Sequence, residues 1–209
     1  MYLVSLYFDD KASRKIQGFI NKVAIKSGNN FMIDRKVPPH ITIASFQADE
    51  ENKIIEILDK RIKDIEIGII NWGSIGVFKS SVIFLAPILN EYLHNLSVSI
   101  YESISLVDNI CISKYYMPFQ WMPHTTIAKK LTREELMAAF QELEKNFTIF
   151  SGMVTRIALS KTNPYEDITV WELDNKKIFS SWNKSYIWFN FFFISVIKKK
   201  SINNIKEIF

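Results

Sequence analysis

Two of the three histidines in this chain stand in one repeated pattern. Pro39-His40-Ile41-Thr42-Ile43 recurs 84 residues later as Pro123-His124-Thr125-Thr126-Ile127. Both runs are strand-like. Side chains alternate faces along a strand, so His40 shares a face with Thr42, and His124 with Thr126. Two such pairs turned toward each other supply two imidazoles and two hydroxyls to one cleft. An imidazole, with an unperturbed pKa of about 6.5, can both take and give a proton near neutrality. Opening a phosphodiester needs both: a proton leaves the nucleophile and another reaches the departing oxygen. One histidine as base and one as acid achieve this without a metal or other cofactor. The hydroxyls of Thr42 and Thr126 are expected to donate to the non-bridging phosphate oxygens, where charge builds in the transition state. Which histidine takes which role is left open. The third histidine, His94, falls in an amphipathic helical run and is assigned a surface or structural role.

The elements that must position these groups occur twice, in the same order. Tyr2 to Asp9 reads as a strand, and Ala12 to Lys26 as a helix with Ile16, Phe19, Ile20 and Val23 on one face. Residues 27 to 39 read as loop, punctuated by Gly28-Asn29-Asn30 and Pro38-Pro39. The first histidine strand runs to Phe46. A helix over 50–65 and an extended run over 66–78 follow. The second half repeats this: strand 82–87, helix 91–107, loop 108–123 and histidine strand 124–129. A helix opened by the capping box Thr132-Arg133-Glu134-Glu135 comes next, then strands 154–161 and 168–173. The duplicated order predicts an α+β fold of two lobes, roughly 1–78 and 79–174, each with a sheet. An approximate two-fold axis relates them, and the histidine strands face a cleft between them.

Composition agrees with a soluble globular protein, 48% hydrophobic and 23% charged. The net charge of +4 does not describe that body. Seven of the 26 lysines and arginines, and one of the 22 acids, lie after residue 174, leaving 19 bases against 21 acids before it. A broad basic face for nucleic acid is therefore not implied for residues 1–174. The single cysteine, Cys111, excludes an intrachain disulfide framework and is expected to be a buried or half-buried thiol. The short apolar start, Met1 to Phe8, runs straight into Asp9-Asp10 and reads as a first strand rather than a signal peptide, which gives a cytoplasmic location. The tail 175–209 is rich in Phe, Ile, Lys and Asn. Its apolar stretch Tyr186 to Ile197 is shorter than the roughly 20 residues that span a bilayer. It reads as an interfacial membrane anchor, a cover over the main domain, or a terminal extension without a packed role.

The paired motifs, the duplicated order and the closing Lys161-Thr162-Asn163-Pro164-Tyr165 turn resemble the two-histidine phosphoesterase superfamily. Within it, the chain is similar to the bacterial 2′-5′ RNA ligase and RNA 2′,3′-cyclic phosphodiesterase group. The resemblance covers about residues 1–174. Both motifs are intact, so His40, Thr42, His124 and Thr126 carry over. It implies metal-independent opening of 2′,3′-cyclic phosphates at RNA ends or on nucleotides, with 2′-5′ ligation as the reverse reaction; a monomer is the default expectation. The tail has no counterpart in the compact family pattern.

Base-stacking candidates are Phe46, just past the first histidine strand, and Tyr115, Tyr116, Phe119 and Trp121 in the loop before the second. Phe46 and Trp121 also suit a core. Lys129 and Lys130 follow the second motif. Consecutive strand positions face opposite ways, so at most one of them is expected in the cleft. Two rival functions are a non-catalytic RNA- or nucleotide-binding module with the same cleft, and a metal hydrolase. The sequence offers the latter neither His-x-His nor His-Glu-x-x-His.

Overall fold

The structure is a computed structural model that describes residues 1–79 and 81–174. The tail from 175, with its three readings and any membrane contact, lies outside the described residues. In chain order the elements are β1 (Tyr2–Phe8), α1 (Asp10–Ser27), α2 (Phe31–Arg35), β2 (Ile41–Gln47), α3 (Glu51–Ile62), β3 (Gly68–Phe78) and β4 (Val82–Pro87). Then come α4 (Glu91–Ile104), β5 (Cys111–Ile112), a 3-10 turn (Lys114–Tyr116), β6 (Thr125–Lys129), α5 (Arg133–Asn146), β7 (Phe150–Lys161) and β8 (Glu166–Glu172). This is the expected mixed fold of helices and antiparallel sheet.

The duplication is written into the pairing. The strands run β5-β2-β1-β7-β3-β4-β6, with β8 added to β7. Equating β1, β2 and β3 with β4, β6 and β7 maps the ladder onto itself: β1–β2 becomes β4–β6, and β1–β7 becomes β4–β3. The β3–β7 pair maps to itself and marks the pseudo-two-fold. The helices obey the same exchange, α1 packing on α5 and α3 on α4. Each half therefore lends its third strand to the other. β7 is long because it serves both: Phe150 to Val154 pair with β3, and Val154 to Lys161 with β1. One continuous hydrogen-bonded path joins the two lobes' sheets, and the division of strands does not follow the chain's midpoint.

Strand alternation sorts β1 into two faces. Val4, Leu6 and Phe8 enter the core with Ile16, Phe19 and Ile20 of α1, while Leu3, Ser5 and Tyr7 point the other way. Each fully buried Ile or Leu in such a core contributes about 1.5–3 kcal/mol. The capping box forms as expected. Thr132 Oγ1 accepts from the Glu135 N–H, and the Glu135 carboxylate accepts from the Thr132 N–H at 2.7 Å.

Several local expectations are corrected. The segment read as loop holds the five-residue α2, too short to show helical periodicity. Asn29 Oδ1 accepts from the Phe31 N–H to start it, and Lys36, in the left-handed region at φ 52°, ends it. β7 begins at Phe150 because β3, 80 residues earlier, supplies its partner there. Cys111 is exposed, since β5 is a two-residue strand at the sheet's edge.

Candidate active site

His40 immediately precedes β2 and His124 immediately precedes β6. Each ring is tied back to the chain in the same way. His40 Nδ1 lies 2.8 Å from the Pro38 carbonyl oxygen, and His124 Nδ1 lies 2.9 Å from that of Met122. A carbonyl oxygen only accepts, so both Nδ1 atoms carry the proton. Among the described residues, Nε2 keeps its lone pair without a hydrogen-bond partner. The prolines at 39 and 123 sit between each histidine and its carbonyl. Their fixed φ angles help hold the acceptor in place.

Both histidines, with Thr42 and Thr126, line one cleft of about 490 Å³. Thr42 pairs with Ser5 of β1, and Thr126 with Phe84 of β4. Two tryptophans pin the motifs from the core side. Trp121 Nε1–H donates to the Thr42 carbonyl at 3.0 Å, and Trp72 Nε1–H donates to Thr125 Oγ1 at 3.0 Å. The hydroxyl of Thr125, wholly buried, is thus satisfied in the core, while its neighbour Thr126 faces the cleft.

Burial pushes the pKa of His40 down, against the pull of the Pro38 carbonyl; His124 and Lys129 lower it further and Asp167 raises it. Burial also pushes His124 down, opposed by the Met122 carbonyl and helped by Lys129. Both shifts favour the neutral imidazole. An anion beside an imidazole favours its protonated form, so a negatively charged ligand in this cleft would raise both values.

The surroundings differ. His40 lies edge-on to Tyr7 and against Tyr165, with ring centres 6.5 and 6.0 Å away. The Tyr7 and Tyr165 hydroxyls are 2.6 Å apart, and Tyr7 Oη–H donates to the Asp167 carboxylate at 2.8 Å. Ser160 Oγ–H donates to the same carboxylate at 2.6 Å. Burial raises the pKa of both phenols, so they stay protonated donors. His124 instead meets the edges of Phe78 and Phe84 at 4.9 and 5.5 Å. Gly76, paired with Phe84, has no Cβ because one would strike that ring. A second hollow of about 540 Å³ opens beside His124, walled by Phe78, Val82, Tyr115, Tyr116, Trp121 and Met122.

A sequence profile of the 2′-5′ RNA ligase superfamily matches residues 12–166. The chain belongs to that superfamily. Among solved structures, that of E. coli LigT complexed with 3′-AMP is 15% identical with a TM-score of 0.55, over 83% of this chain and 98% of LigT. A phosphoesterase crystal structure is 16% identical with a TM-score of 0.55, over 83% and 98% of the two chains. At such identities the likeness establishes the shared fold. No curated protein matches.

For a member of the 2′-5′ RNA ligase superfamily, the placement of the other candidates is informative. Phe46 is 1% exposed and stacks on Tyr2 at 5.6 Å. Its ring is in the core, and a base cannot stack on it. Trp121 is 8% exposed and mainly braces Thr42, with an edge on the hollow. Tyr115, 67% exposed, stands at the hollow's wall with the Lys114 ammonium 5.4 Å from its ring centre. Phe119 points away, onto His94. Both Lys129 and Lys130 line the cleft, contrary to the expectation of one. Lys130 lies past the end of β6 with φ 59°, and this left-handed residue breaks the alternation that would have turned it outward. Tyr7 and Asp167 join the site without any signal in the motifs. A tyrosine on the non-core face of β1 was the available clue. Among the described residues, no cluster of three or more His, Cys, Asp or Glu side chains is placed to hold a metal ion, and no helix is long and apolar enough to cross a membrane.

Proposed function

We propose that this protein opens 2′,3′-cyclic phosphates of RNA ends or nucleotides by metal-independent acid–base catalysis with His40 and His124. One observation carries the reading. Two imidazoles, each locked through Nδ1 to a carbonyl and free at Nε2, share a cleft with both threonine hydroxyls. Nε2 of one takes the proton of the attacking water as its oxygen bonds phosphorus. Nε2–H of the other gives a proton to the ribose oxygen whose bond to phosphorus breaks. Thr42 and Thr126 donate to the non-bridging oxygens as their charge grows. The product is a phosphomonoester, and the proton gained by the base equals that lost by the acid. With an RNA 5′-hydroxyl in place of water and the 3′-oxygen as the leaving group, the same steps form a 2′-5′ diester, which is the ligase direction.

LigT, similar in fold, has been crystallised with 3′-AMP and with phosphate, ligands that this reading would seat at the histidines. The hollow beside His124, with Tyr115 at its wall, suits the apolar faces of a nucleobase. Every group used comes from one chain, so a monomer suffices.

The test is turnover of 2′,3′-cyclic AMP and of an RNA oligonucleotide ending in a 2′,3′-cyclic phosphate, both in EDTA. The expected result is hydrolysis of at least one, undiminished by the chelator. Tight binding of the same compounds by folded protein without turnover would support the non-catalytic binding module instead.

A further inference from the structure

The cleft holds more positive charge than one phosphate requires. Arg35, Lys129 and Lys130 all line it, together with the two histidines and two threonines. Among the described residues none of the three cations has a carboxylate within ion-pair distance, although five such pairs form elsewhere. Asp34, next to Arg35 in sequence, makes no pair with it. The Glu135 carboxylate is engaged by the Thr132 N–H and the Asn29 amide. Three like charges in one concavity repel one another, and an anionic ligand removes that cost.

Two of these cations are organised around one ring. The Arg35 guanidinium lies 5.3 Å from the centre of Phe31, and the Lys130 ammonium 4.8 Å from it. A ring face holds a cation in position without neutralising it. The segments are also joined: Asn29, just before Phe31, donates its amide to the Lys130 carbonyl at 3.4 Å. The short α2, which carries Phe31 and Arg35, is thereby fastened to the turn after the second motif. Lys129 is different. It is the last residue of β6, the strand that follows His124, and is grouped with the histidine site.

We propose that Arg35 and Lys130, mounted on Phe31, form a second anion subsite that takes another phosphate of the same substrate. This rests on the phosphoesterase reading of the histidine site. The second phosphate is either a terminal 5′-phosphate or the next phosphodiester of an RNA strand, and both present the same charged oxygens. The protein thus prefers substrates that carry a second phosphate over bare cyclic mononucleotides.

The test is equilibrium binding by calorimetry of 3′-AMP and of adenosine 3′,5′-bisphosphate to the full chain. Wild type is expected to bind the bisphosphate about tenfold more tightly at about 50 mM salt, with the advantage shrinking by about 200 mM. In R35Q/K130Q the ratio of the two affinities is expected to fall to about twofold or less. Phe31→Leu, which keeps both charges and removes their mount, should give an intermediate ratio. Equal binding of the two ligands by wild type, or an advantage that survives in R35Q/K130Q, would overturn the subsite. Turnover of 2′,3′-cyclic AMP, its 5′-phosphorylated form and a dinucleotide ending in a 2′,3′-cyclic phosphate then separates the sources. A gain in kcat/KM for the 5′-phosphorylated mononucleotide identifies the terminal group; a gain for the dinucleotide alone identifies the strand. Loss of all turnover with the binding advantage intact would sink the acid–base reading and leave the subsite standing.

Discussion

His40 packs against Tyr7 and Tyr165, whose phenols bond each other and reach Asp167, whereas His124 packs against Phe78 and Phe84, which stack on one another 4.2 Å apart. The attachment of the two rings to the backbone is nonetheless the same, Nδ1 to the carbonyl two residues before. That lock is local, and a duplicated peptide carries it wherever it goes. The wall around each ring is built by strands distant in sequence and is free to diverge. The wall around His40 is polar and that around His124 is apolar. One imidazole is therefore tuned by a hydrogen-bonded carboxylate network, while the other borders a hollow walled mainly by apolar and aromatic side chains.

The shared part breaks with the largest effect. His40→Ala and His124→Ala should each lower single-turnover hydrolysis of 2′,3′-cyclic AMP by about 10³-fold. A variant close to wild type would mean that only one motif is catalytic. Removing one hydroxyl, by Thr42→Ala or Thr126→Ala, should cost about 10²-fold in kcat, and similar losses from both would support equivalent roles on the phosphate.

The differing parts give smaller effects. Tyr115→Ala, on the His124 side only, should weaken nucleotide binding by about 1–2 kcal/mol with little change in kcat. An unchanged Kd would show that the base lies elsewhere. Acid should also destabilise the fold. Burial lowers both imidazole pKa values below the unfolded value of about 6.5, so the unfolded chain binds protons first as pH falls. The stability conferred by neutral His40 and His124 is complete above that pH and is lost progressively as pH drops through the folded midpoints. Melting temperatures across this range should flatten in the H40A/H124A double variant. The smallest effect is the most discriminating. In proton NMR titrations, Asp167→Asn should lower the midpoint of His40 and leave His124 in place, and Lys129→Gln should raise both. A shift of His124 in Asp167→Asn would show that the two environments are not separate.

The histidine–threonine pairs and the duplicated order were legible in the sequence because both rest on local rules. Strand alternation puts His40 with Thr42 and His124 with Thr126, and helical periodicity marks the faces of α1, α3, α4 and α5. The capping box of α5 is equally local. The exchange of β3 and β7 between halves was not legible, since each strand finds its partner some 80 residues away and its own pattern says only that it is extended. Phe46 and Tyr115 look alike as aromatic residues near a histidine strand. Only the fold turns one onto Tyr2 in the core and leaves the other at the hollow. Lys130 enters the cleft through a single left-handed residue, and Tyr7 reaches His40 across a strand pair. The sequence by itself determined which groups share a strand face, His40 with Thr42 and His124 with Thr126, because that depends on neighbours two residues apart. The tertiary structure alone decided what surrounds each histidine and where the second set of cations converges, because burial and charge depend on segments that meet only when the chain folds.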